Sequence, residues 1–271
     1  MPASPNRRNT TKALLALTLA SGGVAAAAYA GISATANSTS QRKSRSMSSL
    51  LHFTEVESGQ NPEFSIIWMH GLGDEGRSFI SLVKELDLSR TGAIRFIFPD
   101  APMMPVTINN GYVMRAWYDV SFGDLEGKTK QADEKGVRAS QAEIEKLIAR
   151  EVARGVAANK IVIAGFSQGG AIALQTGLRH THKLAGIMAL SCYLPLADKF
   201  TAEANAANRD TSIFMAHGRM DPVVTYARAT ESRNILQNSG YKLDWHEYAM
   251  PHSVCGEEVE DIASWLRQVF A

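Results

Sequence analysis

The chain has 271 residues, of which 45% are hydrophobic and 20% are charged, and its 28 basic residues nearly balance 27 acidic ones. This near-neutral total argues against a protein that binds nucleic acid, and the large hydrophobic share argues against a charged, disordered chain. The two cysteines, Cys192 and Cys255, cannot form a disulfide framework, and no Cys/His pattern has the spacing of a zinc site. The length allows one large domain or two small ones.

The charge is unevenly distributed along the chain. Six basic residues and no acidic residue precede Glu55, so residues 55–271 hold 22 basic and 27 acidic residues, a net charge of −5. A positive segment at 7–12, an apolar run at 13–20 and an A-x-A pattern ending at Ala30 resemble the three parts of a secretory signal peptide.

Other interpretations of this N-terminal segment stay open. It is also compatible with a membrane anchor or a transit peptide, and a start at Met47 would remove it from the protein. We predict a basic leader over residues 1–48, consisting of the signal-like or anchor segment and a disordered linker, followed by one folded domain over residues 49–271. Any membrane contact is expected only through the leader.

In the folded domain, short apolar runs alternate with helical patterns. Strands are predicted at 65–69, 94–98, 161–166, 185–193, 212–216 and 243–248. Helical spacing is found from Phe79 to Leu86, and helices are predicted at 133–153, 169–180, 225–239 and 257–270. Apolar strands that alternate with helices predict an α/β fold with a mostly parallel sheet covered by helices on both faces.

Two further details of this prediction concern single segments. In the 133–153 helix the buried face is predicted from the 3.6-residue period to comprise Val137, Ile144, Ile148 and Val152. Residues 99–123, which are rich in Pro, Met, Asn and Gly, are predicted to form one long loop.

The motif G-x-S-x-G occurs between a predicted strand and a predicted helix, as Gly165-Phe166-Ser167-Gln168-Gly169. A nucleophilic serine requires a sharp strand-to-helix turn, in which small residues relieve the crowding. The free amides at the start of the helix then favour developing negative charge. The motif alone arises by chance about once in ten chains of this size, and a purely structural turn is the alternative. The context predicts that Ser167 is a nucleophile.

A serine nucleophile needs a base, and the chain has seven histidines. In this type of fold the order along the chain is serine, acid, histidine. His252 lies between the last strand and the last helix, where a base can reach Ser167, whereas His217 is interpreted as structural support. The remaining histidines either precede the nucleophile or are predicted to be exposed, and they are His52, His70, His180, His182 and His246.

The acid is expected directly after a strand that follows the nucleophile. Asp221 meets this requirement, and it would fix the tautomer of His252 and stabilise the imidazolium. Its competitors Asp198 and Asp210 lie in a polar loop, and Asp244 lies within a predicted strand.

An oxyanion hole needs two converging N–H donors. We expect one from the backbone of Gln168 and the other from Leu72, in the glycine-rich segment His70–Asp74 that follows an early strand. The alternative is a glycine-rich turn that leads into a helix capped by Asp74, and both can hold together. No G-K-[ST] sequence follows, so a phosphate-binding loop is excluded.

Eight segments resemble, in order, motifs of the acyl-protein thioesterase/carboxylesterase family of α/β-hydrolases, which includes lysophospholipase-like members. They run across most of the folded domain, far beyond the G-x-S-x-G motif. They are HGLGD (70–74), FPDAP (98–102), PVT (105–107), AWYD (116–119), GFSQGGAIAL (165–174), KLAGIMALSCYLPL (183–196), HGRMDPVV (217–224) and MPHSVC (250–255).

The resemblance implies the α/β-hydrolase fold, a triad of Ser167, Asp221 and His252, and oxyanion donors at Leu72 and Gln168. It also implies that the two cysteines are packing residues. The family is typically cytosolic, so the resemblance implies a cytoplasmic protein, whereas a functional leader would make it exported or membrane-anchored.

The resemblance implies that the region 101–120 accepts an acyl chain, and flexible apolar side chains suit varied chains. The alternative is that the side chains of this region pack the loop onto the sheet. The candidates for the acyl groove are Met103, Met104, Val106, Met114 and Trp117.

We therefore predict a serine hydrolase that cleaves carboxylic esters or thioesters through an acyl-serine, of the palmitoyl-protein hydrolase type. The substrate would carry an acyl chain on a protein or a lysophospholipid. A lysophospholipase is the alternative, and a non-catalytic binding protein on a hydrolase scaffold is another. No metal, no organic cofactor and no nucleic acid are expected, and the protein is expected to be a monomer or a weak homodimer.

Overall fold

The structure of the protein, a computed structural model, describes residues 50–125, 127 and 133–271. The leader predicted over residues 1–48 lies outside the described residues. Within the described part of the chain, no helix is both long enough and apolar enough to cross a membrane.

The described residues contain nine strands, of which seven form one sheet and two form a separate hairpin. The strands are β1 (Phe53–Glu57), β2 (Phe64–Met69), β3 (Ile94–Pro99), β4 (Met103–Val106), β5 (Tyr112–Arg115), β6 (Ile161–Phe166), β7 (Gly186–Leu190), β8 (Ser212–Gly218) and β9 (Leu243–Tyr248). The order in the large sheet is β1-β3-β2-β6-β7-β8-β9. Only β1 runs antiparallel to its neighbour, and the other pairings in this sheet are parallel.

Seven α-helices accompany these strands in the described residues, and their ends follow from local sequence. Asp133 caps the longest of them by accepting from the Gly136 amide, and Gly155 follows its last turn with a φ of 98°. The helices are α1 (Ile80–Glu85), α2 (Phe122–Leu125), α3 (Glu134–Ala153), α4 (Gln168–Gly177), α5 (Ala197–Glu203), α6 (Tyr226–Asn238) and α7 (Gly256–Val269).

Alternation along the central strands fills a hydrophobic core on each face of the sheet. In β2, Ile67 and Met69 belong to the cluster that includes α3 and α4, whereas Ile66 and Trp68 belong to the cluster that includes α1 and α7. Successive side chains of a strand point to opposite faces, so a strand buried on both sides is apolar throughout. The predicted α/β fold, with a mostly parallel sheet between layers of helices, is confirmed.

Several elements differ from the sequence prediction. The predicted loop 99–123 contains the β4–β5 hairpin, whose turn places Asn110 and Gly111 at φ values of 54° and 77°. Strand β1 was not predicted because it is a polar edge strand, held through ion pairs such as that between Glu57 and Arg95. The sequence prediction also lacks the short helices α2 and α5.

Two predictions, the burial of Val152 and the exposure of His180, are wrong because polar side chains are buried with charged partners. Val152 is 46% exposed, and the neighbouring Glu151 takes the inward position, where its carboxylate pairs with Arg95 at 2.8 Å. His180, expected at the surface, is buried and its Nδ1 lies 2.8 Å from a carboxylate oxygen of Glu145. Charged partners far away in sequence made both burials possible.

Candidate active site

Ser167 occupies the sharp turn between β6 and α4. Its backbone has φ 55° and ψ −120°, a conformation that is strained for a residue with a side chain. The two flanking glycines are required by close backbone contacts. A Cβ atom on Gly165 would lie 2.2 Å from the Gly169 carbonyl carbon, and one on Gly169 would lie 2.4 Å from the Met69 oxygen. The G-x-S-x-G spacing therefore has a steric origin.

The three residues predicted to form a triad lie next to one another. His252 Nε2 is 2.9 Å from Ser167 Oγ, and His252 Nδ1 is 2.7 Å from Asp221 Oδ2. Ser167 follows β6, Asp221 follows β8 and His252 follows β9. The carboxyl ends of parallel strands meet at one edge of a sheet, so the topology brings together residues up to 85 positions apart.

The carboxylate of Asp221 is held from several directions. Its Oδ1 accepts hydrogen bonds from the amides of Val223 and Val224, at 2.8 and 3.0 Å, which leaves Oδ2 directed at His252. His217 Nε2 lies 2.8 Å from the Val224 carbonyl oxygen and 3.4 Å from Asp221 Oδ2. Burial lowers the pKa of His217, so this ring is neutral and donates its Nε2 hydrogen to the carbonyl.

The competing aspartates lie elsewhere. Asp244 has a half-exposed side chain and pairs with His246 at 2.9 Å. Asp198 lies in the first turn of α5, and Asp210 is exposed in the turn that precedes β8. His246, which was expected to face solvent, is half-buried and stacks on Phe214 with ring centroids 4.7 Å apart.

The segment 70–73 follows β2 and lies beside the serine. A Cβ atom on Gly71 would lie 3.4 Å from the Ser167 Cβ, so this backbone is in near contact with the turn. Gly73 has φ 76°, and its amide donates to the Arg115 carbonyl of β5 at 2.8 Å. Leu72 lies between these two glycines, and Gln168, which directly follows the serine, is the first residue of α4.

His70 has a role that the sequence interpretation missed. It is fully buried, its Nε2 accepts the Ala101 amide at 3.0 Å, and its Nδ1 lies 2.7 Å from the Gly71 carbonyl oxygen. An amide can only donate and a carbonyl can only accept, so the ring is the neutral tautomer with hydrogen on Nδ1. Burial lowers the pKa of His70, in agreement with a neutral ring. The only available signal was a histidine at the end of a buried strand.

The five candidates for the acyl groove do not share one open surface. Val106 and Trp117 are buried in the core, with at most 1% exposure. Met103 is 60% exposed on the hairpin, Met104 is partly buried, and Met114 Sδ would lie 3.4 Å from a Cβ on Gly73. Three further exposed apolar side chains lie on the hairpin or at the start of α2, and they are Tyr112, Val113 and Phe122.

The described residues contain no group of three or more His, Cys, Asp or Glu side chains that could hold a metal ion. Cys192 and Cys255 are both free thiols. Burial raises the pKa of the Cys192 thiol, and its sulfur packs against the Gly170 backbone of α4.

The chain is similar to known proteins of one family. A family model described as phospholipase/carboxylesterase matches residues 51–270. The acyl-protein thioesterase 1 of Yarrowia lipolytica is 40% identical over 208 residues, which cover 75% of this chain and 91% of the relative. The acyl-protein thioesterase 1 of Neurospora crassa is 42% identical over 210 residues, which cover 75% and 86%.

Solved structures give the same result at the level of the fold. The crystal structure of Arabidopsis thaliana SOBER1 has a TM-score of 0.71 at 28% identity, covering 77% of this chain and 99% of that one. Zea mays acyl-protein thioesterase 2 has a TM-score of 0.71 at 27% identity, covering 82% and 100%. The chain therefore belongs to the phospholipase/carboxylesterase family of α/β-hydrolases.

Proposed function

We propose that this protein is a serine hydrolase that cleaves carboxylic esters or thioesters, with Ser167 as nucleophile, His252 as base and Asp221 as acid. The observation that carries the proposal is the continuous pair of contacts from Ser167 Oγ to His252 Nε2 and from His252 Nδ1 to Asp221 Oδ2. The 40% and 42% identical relatives, which are acyl-protein thioesterases, support an acylated substrate.

The reaction begins with attack of the serine on the substrate. Asp221 accepts the hydrogen on Nδ1 of His252, which leaves the Nε2 lone pair free to take the proton of Ser167 Oγ. The oxygen attacks the carbonyl carbon of the substrate, and a tetrahedral oxyanion forms. The amides of Leu72 and Gln168 donate hydrogen bonds to this oxyanion, and the positive end of the α4 dipole lies beside it.

Two later steps release the products. As the bond to the carbonyl carbon breaks, the imidazolium of His252 gives its proton to the leaving alkoxide or thiolate, and an acyl-serine remains. A water molecule, deprotonated by His252, then attacks the acyl carbon. Collapse of the second tetrahedral intermediate returns the proton to Ser167 and frees a carboxylic acid.

The substrate class is proposed as an acyl chain carried by a protein thiol, in the manner of a palmitoyl-protein hydrolase. The acyl chain would lie against the hairpin, where Met103 is exposed and Met114 lies beside Gly73. The family also includes phospholipases, so lysophospholipid is the second candidate substrate. We place the catalytic domain at residues 49–271, behind the leader at 1–48, because the family match begins at residue 51.

Three substrates tested side by side separate these possibilities, and they are p-nitrophenyl octanoate, a palmitoylated peptide and lysophosphatidylcholine. Faster cleavage of the lysophospholipid than of the peptide would make the protein a lysophospholipase. A fluorophosphonate probe should label Ser167, because only an activated serine reacts with it.

Replacing the nucleophile tests the mechanism itself. The turnover number of Ser167→Ala should fall by roughly 10⁴- to 10⁶-fold, whereas the exposed Ser81→Ala should behave as the unmodified protein. Near-normal hydrolysis by a folded Ser167→Ala protein would disprove the mechanism. A wild-type protein that neither reacts with the probe nor cleaves any of the three substrates would instead be a binding protein.

A further inference from the structure

The two proposed oxyanion donors come from separate parts of the chain. Leu72 belongs to the segment after β2, and Gln168 belongs to the start of α4, almost a hundred residues later. An oxyanion hole works only when its donors are held at a set spacing before the reaction begins. The contacts that fix this spacing therefore matter for the turnover number, although they lie away from the substrate.

Trp117 contacts both of these parts directly. Its indole Nε1 donates to the His70 carbonyl oxygen at 2.8 Å, and its backbone amide donates to Gln168 Oε1 at 2.9 Å. The side-chain nitrogen of Gln168 donates in turn to the Tyr118 carbonyl at 2.7 Å. The side-chain amide of Gln168 therefore bonds through its oxygen to the backbone of Trp117 and through its nitrogen to the backbone of Tyr118.

Trp117 is itself held firmly in place. Its side chain is 1% exposed, its ring centroid lies 5.3 Å from that of His70, and its carbonyl oxygen accepts from the Ser140 hydroxyl of α3. The adjacent Tyr118 is buried, and its hydroxyl donates to the Tyr193 hydroxyl at 3.0 Å. A residue anchored in this way to the core can hold the segment after β2 and the start of α4 at fixed positions.

The link to the first donor runs through His70. Its carbonyl accepts the indole N–H of Trp117, and its ring holds the carbonyl of Gly71 at 2.7 Å. The Gly71 carbonyl and the Leu72 amide belong to one planar peptide group, so fixing the carbonyl fixes the direction of the N–H. The link to the second donor is the hydrogen bond between Trp117 and the Gln168 side chain.

We propose that Trp117 is a positioning residue that holds the Leu72 and Gln168 amides at the spacing that an oxyanion requires. This proposal rests on the proposed function, because it assigns a role within the same reaction. It replaces the expectation that Trp117 lines the acyl groove, since the buried indole bonds to backbone near the nucleophile instead.

The test is Trp117→Phe, which keeps an aromatic ring in the core but removes the indole N–H. Small errors in placement cost roughly 10²-fold in rate, so kcat for p-nitrophenyl octanoate should fall about 10- to 100-fold. KM should change less than about twofold, because the ground-state ester does not need the oxyanion donors. The affinity for octyl trifluoromethyl ketone, which forms an oxyanion on the serine, should fall by the same factor as kcat/KM.

Trp265→Phe is the matched control. Trp265 is similarly buried, with 2% exposure, and donates its indole N–H to Ser212 Oγ at 2.9 Å. Ser212, however, begins β8 at the opposite edge of the sheet from Ser167. Both variants lose one indole hydrogen bond of a buried tryptophan, so both should unfold at lower temperature. Only Trp117→Phe should lose kcat and affinity for the ketone.

A kcat within twofold of the wild type for Trp117→Phe would overturn the positioning role while leaving the proposed function intact. If the wild-type protein itself fails to hydrolyse esters and to react with the fluorophosphonate probe, both proposals fail. Should Trp117→Phe not fold, Gln168→Met takes its place, because it keeps the backbone donor and removes the side-chain bridge. The same loss of kcat with an unchanged KM is expected there, and wild-type kcat in that variant would overturn the role.

Discussion

His70 holds the carbonyl of Gly71 through a hydrogen bond of 2.7 Å from its Nδ1, while its Nε2 accepts the amide of Ala101. The first bond orients the peptide that carries the Leu72 amide, and the second ties the ring to the segment after β3. The two nitrogens therefore have separable tasks, and this separation can be tested.

Asparagine and glutamine each retain one of these two contacts. The amide of His70→Asn lies near the position of Nδ1 and can still donate to the Gly71 carbonyl, whereas that of His70→Gln lies near Nε2. We expect His70→Gln to lose about tenfold or more in kcat and His70→Asn to lose less, because only glutamine releases the peptide of the oxyanion donor. Steady-state kinetics on p-nitrophenyl octanoate measures both, and equal losses would contradict this division.

Replacing Asp221 by asparagine should preserve the fold and remove most of the activity. An asparagine can donate to His252 Nδ1, which favours the tautomer with hydrogen on Nε2 and leaves no base for Ser167. The turnover number should fall by about 10⁴-fold at neutral pH. The matched control is Asp244→Asn, since Asp244 bonds to His246 rather than to His252. If Asp244→Asn were the inactive variant, the assignment of the acid would be wrong.

Glu258 should make the stability of the protein depend on pH in an unusual direction. It is fully buried in the first turn of α7, and burial raises its pKa to about 8, opposed by the Cys255 amide and reinforced by Asp261. Between its ordinary value of 4.5 and about 8, the unfolded chain releases this proton before the folded chain does. The free energy of unfolding should therefore fall as pH rises through this window, by about 1.4 kcal/mol per pH unit, and level off above it.

The variant Glu258→Gln isolates this contribution. Its stability relative to the wild type should rise by about 2 kcal/mol between pH 6.5 and pH 8, as measured by urea unfolding. This range avoids His70 and His217, whose lowered pKa values act in the opposite direction below 6.5. The control is Glu257→Gln, which is exposed in the same turn and should keep the wild-type pH dependence. Equal pH dependence in Glu258→Gln and the wild type would contradict the raised pKa.

Substitutions at the acyl-groove candidates should affect either substrate preference or stability, depending on how buried the side chain is. Met103 is 60% exposed, so Met103→Ser should change the free energy of unfolding by less than about 0.5 kcal/mol but slow the cleavage of octanoyl relative to acetyl esters. Val106 is fully buried, so Val106→Ala should cost roughly 1–3 kcal/mol without changing the preference for chain length. Thermal unfolding and a series of p-nitrophenyl esters test both variants. Equal slowing of both esters in Met103→Ser would argue against a groove at the hairpin.

Local patterns were sufficient to predict six of the seven strands of the large sheet and most of the helices, and to propose the three residues of the triad. A strand buried on both faces is apolar throughout, and the turn at Ser167 needs glycines at fixed positions, so both leave a local trace in the sequence. The β1 strand and the β4–β5 hairpin are harder to predict from local patterns. Strand β1 has few apolar residues, and the hairpin contains a proline in β4 and a glycine in its turn, which are typical of a loop.

Only the tertiary structure decided which side chains hold the site in place. The contact of Trp117 with His70 spans 47 positions and that with Gln168 spans 51, and no local periodicity encodes such pairs. The burial of Glu151 likewise depended on Arg95, and the burial of Val106 depended on the hairpin folding back onto the core. The sequence by itself determined the fold and the residues proposed for the chemistry, because these follow from local sterics and chain order. The structure decided the support around them, because it depends on distant groups that meet only in the folded chain.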